Sequence, residues 1–151
     1  MVEFKQGFFR PRNPFKYKGD PTNIVYRSGW EKRIMDWLDQ KEDVKLWSSE
    51  EIVIPYKSPI DNRYHRYFVD FYVEVVDSKG NTHVTLIEVK PLAQTREPKK
   101  PKRNTKRYLT EVMTYGINQA KWKAAEEYCK DKGWEFKILT EKEIFNKKVD
   151  K

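Results

Sequence analysis

The chain has one cysteine, Cys129, in 151 residues. A single thiol cannot close an internal disulfide and does not suggest a zinc site, so a reducing compartment is expected. No apolar run is long enough for a secretory signal or a membrane span, and no internal repeat is visible. The expected location is therefore the cytosol or a particle assembled there, with no membrane partner. His65 and His83 lack partners at ligand-like spacing, which leaves them surface or packing roles. Hydrophobic residues make up only 38% of the chain, but 15% of residues are aromatic, and large rings bury enough area for a compact core. The length suits one domain over residues 1–151, with nothing left over for a separate sequence-reading domain.

Positive charge is what the chain has in excess. Its formal charge of +8 and pI near 9.4 favour an acidic polymer as partner, nucleic acid first. Residues 96–107 hold seven basic residues against one acid, a net +6. Pro98 and Pro101 keep the first half of this run out of a helix, so it reads as a mobile basic loop. Lys99, Lys100, Lys102, Arg103, Lys106 and Arg107 are candidates for contact with backbone phosphates. Residues 1–22 form a second basic segment, in which Lys5, Arg10, Arg12, Lys16 and Lys18 alternate with Phe4, Phe8, Phe9, Phe15 and Tyr17. Two readings stay open for it: an arm that stacks on bases or grips phosphates, or an extended segment whose aromatics pack on the chain's own core or on a protein partner.

The chemistry concentrates in Asp70…Glu88-Val89-Lys90. Residues 67–75 alternate as a strand, with Tyr67, Val69, Phe71, Val73 and Val75 on one face and Phe68, Asp70, Tyr72 and Glu74 on the other. Residues 82–90 form a second strand. Between them, Ser78-Lys79-Gly80 suits a three-residue hairpin loop closed by a left-handed glycine. Asp77 then faces Asn81, paired positions add up to 158, and Asp70 falls opposite Glu88. Lys90 shares the Glu88 face because side chains alternate with period two. Opposed carboxylates repel, and Phe68, Tyr72, Val84 and Leu86 on the same face make it partly buried. A divalent cation between the carboxylates relieves both problems. Hard oxygen ligands suit Mg²⁺, with Mn²⁺ as the alternative.

Around this hairpin, Ser28-Gly29-Trp30-Glu31 opens a helix to about Asp39 with an apolar stripe at Trp30, Ile34, Trp37 and Leu38. Ser28 and Glu31 match a capping box, which by itself accounts for Glu31. Strand-like stretches follow at 44–47 and 50–56, then a turn at 58–62. A long helix spans about 105–132, interrupted or kinked at Gly116, and stops at Gly133. A strand over 134–139 and a capping box at Thr140 to Glu143 end the pattern. The helix between the Glu88 and Trp134 strands permits a parallel crossover in a mixed sheet. Gln119, Lys121 and Lys123 on the long helix suit phosphate contact or a plain solvated face.

This order of elements, with Asp70 and Glu88-Val89-Lys90 on adjacent strands, resembles the PD-(D/E)XK nuclease superfamily. Tyr26-Arg27-Ser28-Gly29-Trp30-Glu31, His65-Arg66-Tyr67-Phe68-Val69-Asp70-Phe71 and Ile87-Glu88-Val89-Lys90-Pro91 are similar to the TnsA-like endonucleases, and more closely to the head completion nucleases of large tailed phages. Val69 replaces the motif's proline, and Glu88 stands where transposon relatives often carry glutamine. The resemblance implies a restriction-endonuclease-like α/β (α+β) fold of order αβββαβ(α). It also implies a Mg²⁺-dependent endonuclease or exonuclease on double-stranded DNA, with Asp70, Glu88, the Val89 carbonyl and Glu31 at the metal and Lys90 beside them. Gln119 joins the basic loop as a DNA contact. Phage head or neck proteins become the expected partners, and the infected cell's cytoplasm or the virion the expected location. Two rivals share these features: a non-catalytic DNA-binding assembly protein on a nuclease-like scaffold, and a transposon end-cleaving or restriction subunit.

Overall fold

The computed structural model describes residues 6–145. Phe4 and Lys5 of the expected arm lie outside them. Its centre is a four-stranded sheet in the order β3, β6, β7, β8. These strands are β3 (Val44–Ser49), β6 (Phe71–Val76), β7 (Thr82–Val89) and β8 (Glu135–Leu139). β6 runs antiparallel to both β3 and β7, whereas β8 joins β7 in parallel. The 27-residue helix α2 (Lys106–Lys132) supplies the crossover that a parallel pair requires. It is one continuous helix through Gly116, begun by the Thr105 hydroxyl accepting from Tyr108 N–H and ended by Gly133 at φ +73°. This α+β architecture, a mixed sheet flanked by helices, is the one the resemblance implies.

Alternation along the strands builds two cores, one on each sheet face. Val44, Trp47, Phe71, Val73 and Ile87 pack against α1 (Gly29–Gln40), which contributes Ile34, Met35 and Leu38. Tyr72 and Leu86 point the other way, onto Trp122, Ala125 and Cys129 of α2. The hairpin register follows the expectation pair by pair, from Phe71 opposite Ile87 to Val76 opposite Thr82. Asp77 N–H donates to the Asn81 carbonyl and Gly80 sits at φ +84°, so the loop chemistry and the ladder agree.

One expectation needs correction. The stretch 67–75 is not one strand: β5 (Tyr64–Phe68) ends before Asp70, and β6 begins after it. β5 pairs instead with β4 (Val53–Lys57) in a separate two-stranded ribbon inserted between β3 and β6. The bend at Val69-Asp70 shifts the alternation, so Tyr67 and Val69 join the α2 core while Phe71 and Val73 join the α1 core. Phe68 consequently leaves the shared face and is 45% exposed.

For the amino-terminal segment the structure selects the second of the two readings, packing of its aromatics on the chain's own core. The short strands β1 (Gly7–Phe8) and β2 (Val25–Tyr26) pair, and Phe9 and Tyr17 pack edge-on against Trp47. Lys16 is buried, with its ammonium donating to the carbonyls of Asp39 and Lys41 at the end of α1. A lysine is a favourable cap for those orphan carbonyls. The segment is thus tied into the α1 core, and Lys16 is withdrawn from any phosphate; only Phe8 and Phe15 among its described phenylalanines remain exposed.

Candidate active site

The site forms where the break before β6 meets the end of β7. Because β7 alternates, Ile87 and Val89 enter the α1 core and Glu88 points to the opposite side, where it is buried. Asp70 lies opposite it by the hairpin register. The Val89 N–H donates to Asp70 Oδ2 at 2.8 Å, and the buried Tyr67 hydroxyl donates to Glu88 Oε1 at 2.8 Å. Lys90 Nζ stands 3.5 Å from Glu88 Oε2, so the cation shares the patch.

Burial and the nearby Glu88 carboxylate hold the Asp70 pKa well above the ordinary carboxylate range, with Glu31 adding to the effect. Glu31 is also pushed up, first by burial and then by Glu50 and Glu88, despite a hydrogen bond from Arg27. These carboxyl groups therefore sense one another's charge. Glu31 stands at the first turn of α1, where the Ser28 hydroxyl accepts from its N–H at 3.2 Å. The reciprocal half of the box differs from the expected one: Glu31 Oε1 accepts from Arg27 N–H, one residue before the cap.

Do these residues suit a divalent ion? Among the described residues, no three His, Cys, Asp or Glu side chains are grouped closely enough to enclose one. Mg²⁺ does not require such a cage, since it is commonly held by one or two carboxylates with waters and substrate phosphate. Two opposed, partly buried carboxylates, one with a raised pKa, fit that pattern.

The structure brings Asp70, Glu88, Val89 and Lys90 together and sets Glu31 near enough to act on both carboxylates through its charge, without direct contact. Gln119 is exposed on α2, and no described contact ties it to the carboxylates. Lys99, Lys100, Lys102, Arg103, Lys106 and Arg107 are all exposed, the first four on an irregular stretch and the last two, unlike the loop expected over 96–107, in the first turn of α2, where Arg107 pairs with Glu111 at 3.3 Å. Two neighbours were not legible beforehand. Tyr67 was expected on the face away from Asp70, and only the bend returns it to Glu88. Glu50 donates its N–H to the Asp70 carbonyl, binds Arg27 at 3.3 Å and takes φ +55°, a left-handed conformation that non-glycine residues seldom adopt. Nothing in the run Ser48-Ser49-Glu50-Glu51 separates Glu50 from an ordinary surface acid.

Residues 41–141 match the family described as TnsA-like endonuclease N terminal, a stretch that contains Asp70, Glu88 and Lys90 but not Glu31. The head completion nuclease of Enterobacteria phage T4 is 41% identical over 139 residues, covering 89% of this chain and 90% of that protein. No solved structure gives a significant match. With the carboxylate pair and its lysine inside the matched stretch, and most of the chain covered by it, this protein belongs to the TnsA-like endonuclease N-terminal family.

Proposed function

We propose that this protein is a Mg²⁺-dependent DNA nuclease of the PD-(D/E)XK type that acts on double-stranded DNA in completing a phage head. The single observation that carries the chemistry is the convergence of Asp70 and Glu88 with Lys90, whose ammonium lies 3.5 Å from the Glu88 carboxylate. The biological setting rests on the relative's name. Work in the infected cell's cytoplasm, beside head or neck proteins, belongs to the same reading.

Asp70 and Glu88, with the Val89 carbonyl and Glu31, are the groups that would hold the ion; bound there, a divalent cation supplies Lewis acidity at the scissile phosphate and offsets charge on the leaving oxygen. The chain's own residues do the positioning. Val89 N–H and the Tyr67 hydroxyl fix the two carboxylates, so neither must reorganise when substrate arrives. Lys90 orients the attacking water and screens the negative charge that builds on the phosphate. Lys99, Lys100, Lys102, Arg103, Lys106 and Arg107, with Gln119 on α2, hold the DNA backbone without reading its sequence.

Plasmid digestion in Mg²⁺, with a chelator control, tests this reading. Wild type is expected to nick or linearise the plasmid only with the ion present, and Glu88→Ala and Lys90→Ala are expected to be inactive while folded. Undiminished cutting in chelator, or by Glu88→Ala, would remove the metal site from the mechanism.

A further inference from the structure

The ribbon of β4 and β5 has a use that its packing does not exhaust. Its inner face is anchored: Ile54, Tyr56 and Tyr67 are buried in the α2 core, and Pro59 at the tip lies near Gly116 of α2. Its outer face is left to solvent. The register places Lys57 beside Tyr64, Pro55 beside Arg66 and Val53 beside Phe68, all exposed, with Tyr64 at 74% and Phe68 at 45%. Arg63 follows at the turn. Among the described residues, none of Lys57, Arg63 and Arg66 is in a salt bridge; the Arg66 guanidinium instead stands 5.7 Å over the Phe68 ring.

We propose that this outer face is a DNA-docking surface, in which Lys57, Arg63 and Arg66 bind backbone phosphates and Tyr64 and Phe68 lie against sugars and bases. Three observations favour DNA over a protein occupant. The face carries three cations outside any salt bridge among the described residues, with Asp61 near Arg63 as the acid at the turn, so its charge is left in excess and complements a polyanion. It is a two-stranded antiparallel ribbon, an element the major groove admits. Pro55 removes an N–H from β4, so its edge is poorly suited to pairing with a partner strand. The ribbon is also continuous with the site: Tyr67 on β5 holds Glu88, and Asp70 follows Phe68 by two residues. DNA held on the ribbon is thereby registered against the carboxylates. The inference rests on the reading of this chain as a protein that acts on DNA, and it adds a second contact surface to the basic run at 96–107.

The test is binding of a fluorescent duplex of about 25 base pairs by the full chain, followed by anisotropy in chelator so that no cleavage intervenes. A Lys57→Ala/Arg63→Ala/Arg66→Ala variant should bind at least about tenfold more weakly, and the slope of log Kd against log salt should fall by about 2 to 3 if each residue neutralises one phosphate. Tyr64→Ser/Phe68→Ser should weaken binding about fivefold or more with the slope unchanged. Should the triple variant fail to fold by circular dichroism, Arg63→Gln and Arg66→Gln singly carry the same test, each lowering the slope by about 1. Wild-type affinity and slope in the charge variants would overturn the proposal and leave the face to a protein partner. Plasmid cleavage in Mg²⁺ separates the two readings: duplex binding through the ribbon without cleavage sinks the nuclease alone, whereas cleavage with ribbon-independent binding sinks the ribbon alone.

Discussion

Tyr67 illustrates how a residue of unremarkable type becomes part of a site. Its buried hydroxyl has one acceptor, Glu88 Oε1, and burial together with that carboxylate raises its own pKa, so it remains a donor across the working range. Tyr67→Phe should cost roughly 1–3 kcal/mol by chemical denaturation, because the Glu88 oxygen loses its hydrogen bond while staying buried. A midpoint of Mg²⁺-dependent cleavage shifted to higher ion concentration would mark the positioning role; an unchanged midpoint would reduce the residue to packing. Asp70 gives a second residue-level prediction. Its pKa and that of Glu31 lie above the ordinary 3.8 and 4.5 in the folded protein. A raised folded-state pKa means stability that is complete below those ordinary values and is lost as pH rises through the folded ones. The contribution of these two groups to the thermal midpoint in chelator should therefore fall as pH rises from acid toward neutrality, against the opposite trend from Asp20, Asp61, Asp77 and Glu141, whose pKa values are lowered. Asp70→Asn should remove the Asp70 share of that contribution, so that its melting temperature gains on wild type as pH rises and exceeds it at neutral pH, yet it should cleave about 10²-fold or more slowly.

At the scale of elements, the β6–β7 hairpin is a case where local chemistry sets a long-range contact. Gly80 supplies the left-handed residue of the loop, Asp77 Oδ1 accepts from Lys79 and Asn81 N–H, and the resulting register brings Asp70 to Glu88. Gly80→Ala, at φ +84° with open space around it, should cost about 1–2 kcal/mol in denaturation by conformational strain alone. Cleavage should persist, since the ladder from Phe71 to Val76 keeps the register. The amino-terminal segment is held to α1 in a different way. Asp39 is buried and accepts from Arg12 and Asn13 N–H, while Asn13 and Lys16 donate to its carbonyl. Asp39→Ala orphans two backbone donors and should lower stability by at least about 2 kcal/mol, read as a shift of the urea midpoint. An unshifted midpoint would mean that the segment contributes little to the α1 core.

The whole molecule is a cation-rich body around an acidic centre. Most of its +8 charge lies at 96–107, while Asp70 and Glu88 sit where the inner strands β6 and β7 begin and end, with Glu31 near enough to act on both through charge. On the proposed function, a polyanion would be drawn to the flank, and the carboxylates at the centre would need a cation to accept its phosphate. Replacing Lys99, Lys100, Lys102 and Arg103 with alanine should reduce the salt slope of DNA binding by about 3 to 4, if each contacts one phosphate, without lowering the melting temperature appreciably. A variant with the wild-type slope would assign the run to another partner.

What the sequence determined by itself was local. Gly80 and Gly133 marked backbone that only glycine enters cheaply, Thr140 and Glu143 wrote a capping box that forms as read, and the three-residue loop fixed which residue of β7 faces Asp70. These features depend on residues within a few positions of one another, so their physics is contained in the text of the chain. The tertiary structure decided the rest. Alternation through 67–75 predicted an unbroken strand because each residue there favours extended backbone, and nothing local announces that β5 must leave the central sheet to pair with β4. That departure turns Tyr67 toward Glu88, exposes Phe68 and creates the ribbon. Likewise, the burial of Lys16 under the end of α1 and the approach of Glu31 and Glu50 to the carboxylates depend on contacts between distant segments, where packing of the two cores outweighs the preferences of any one stretch.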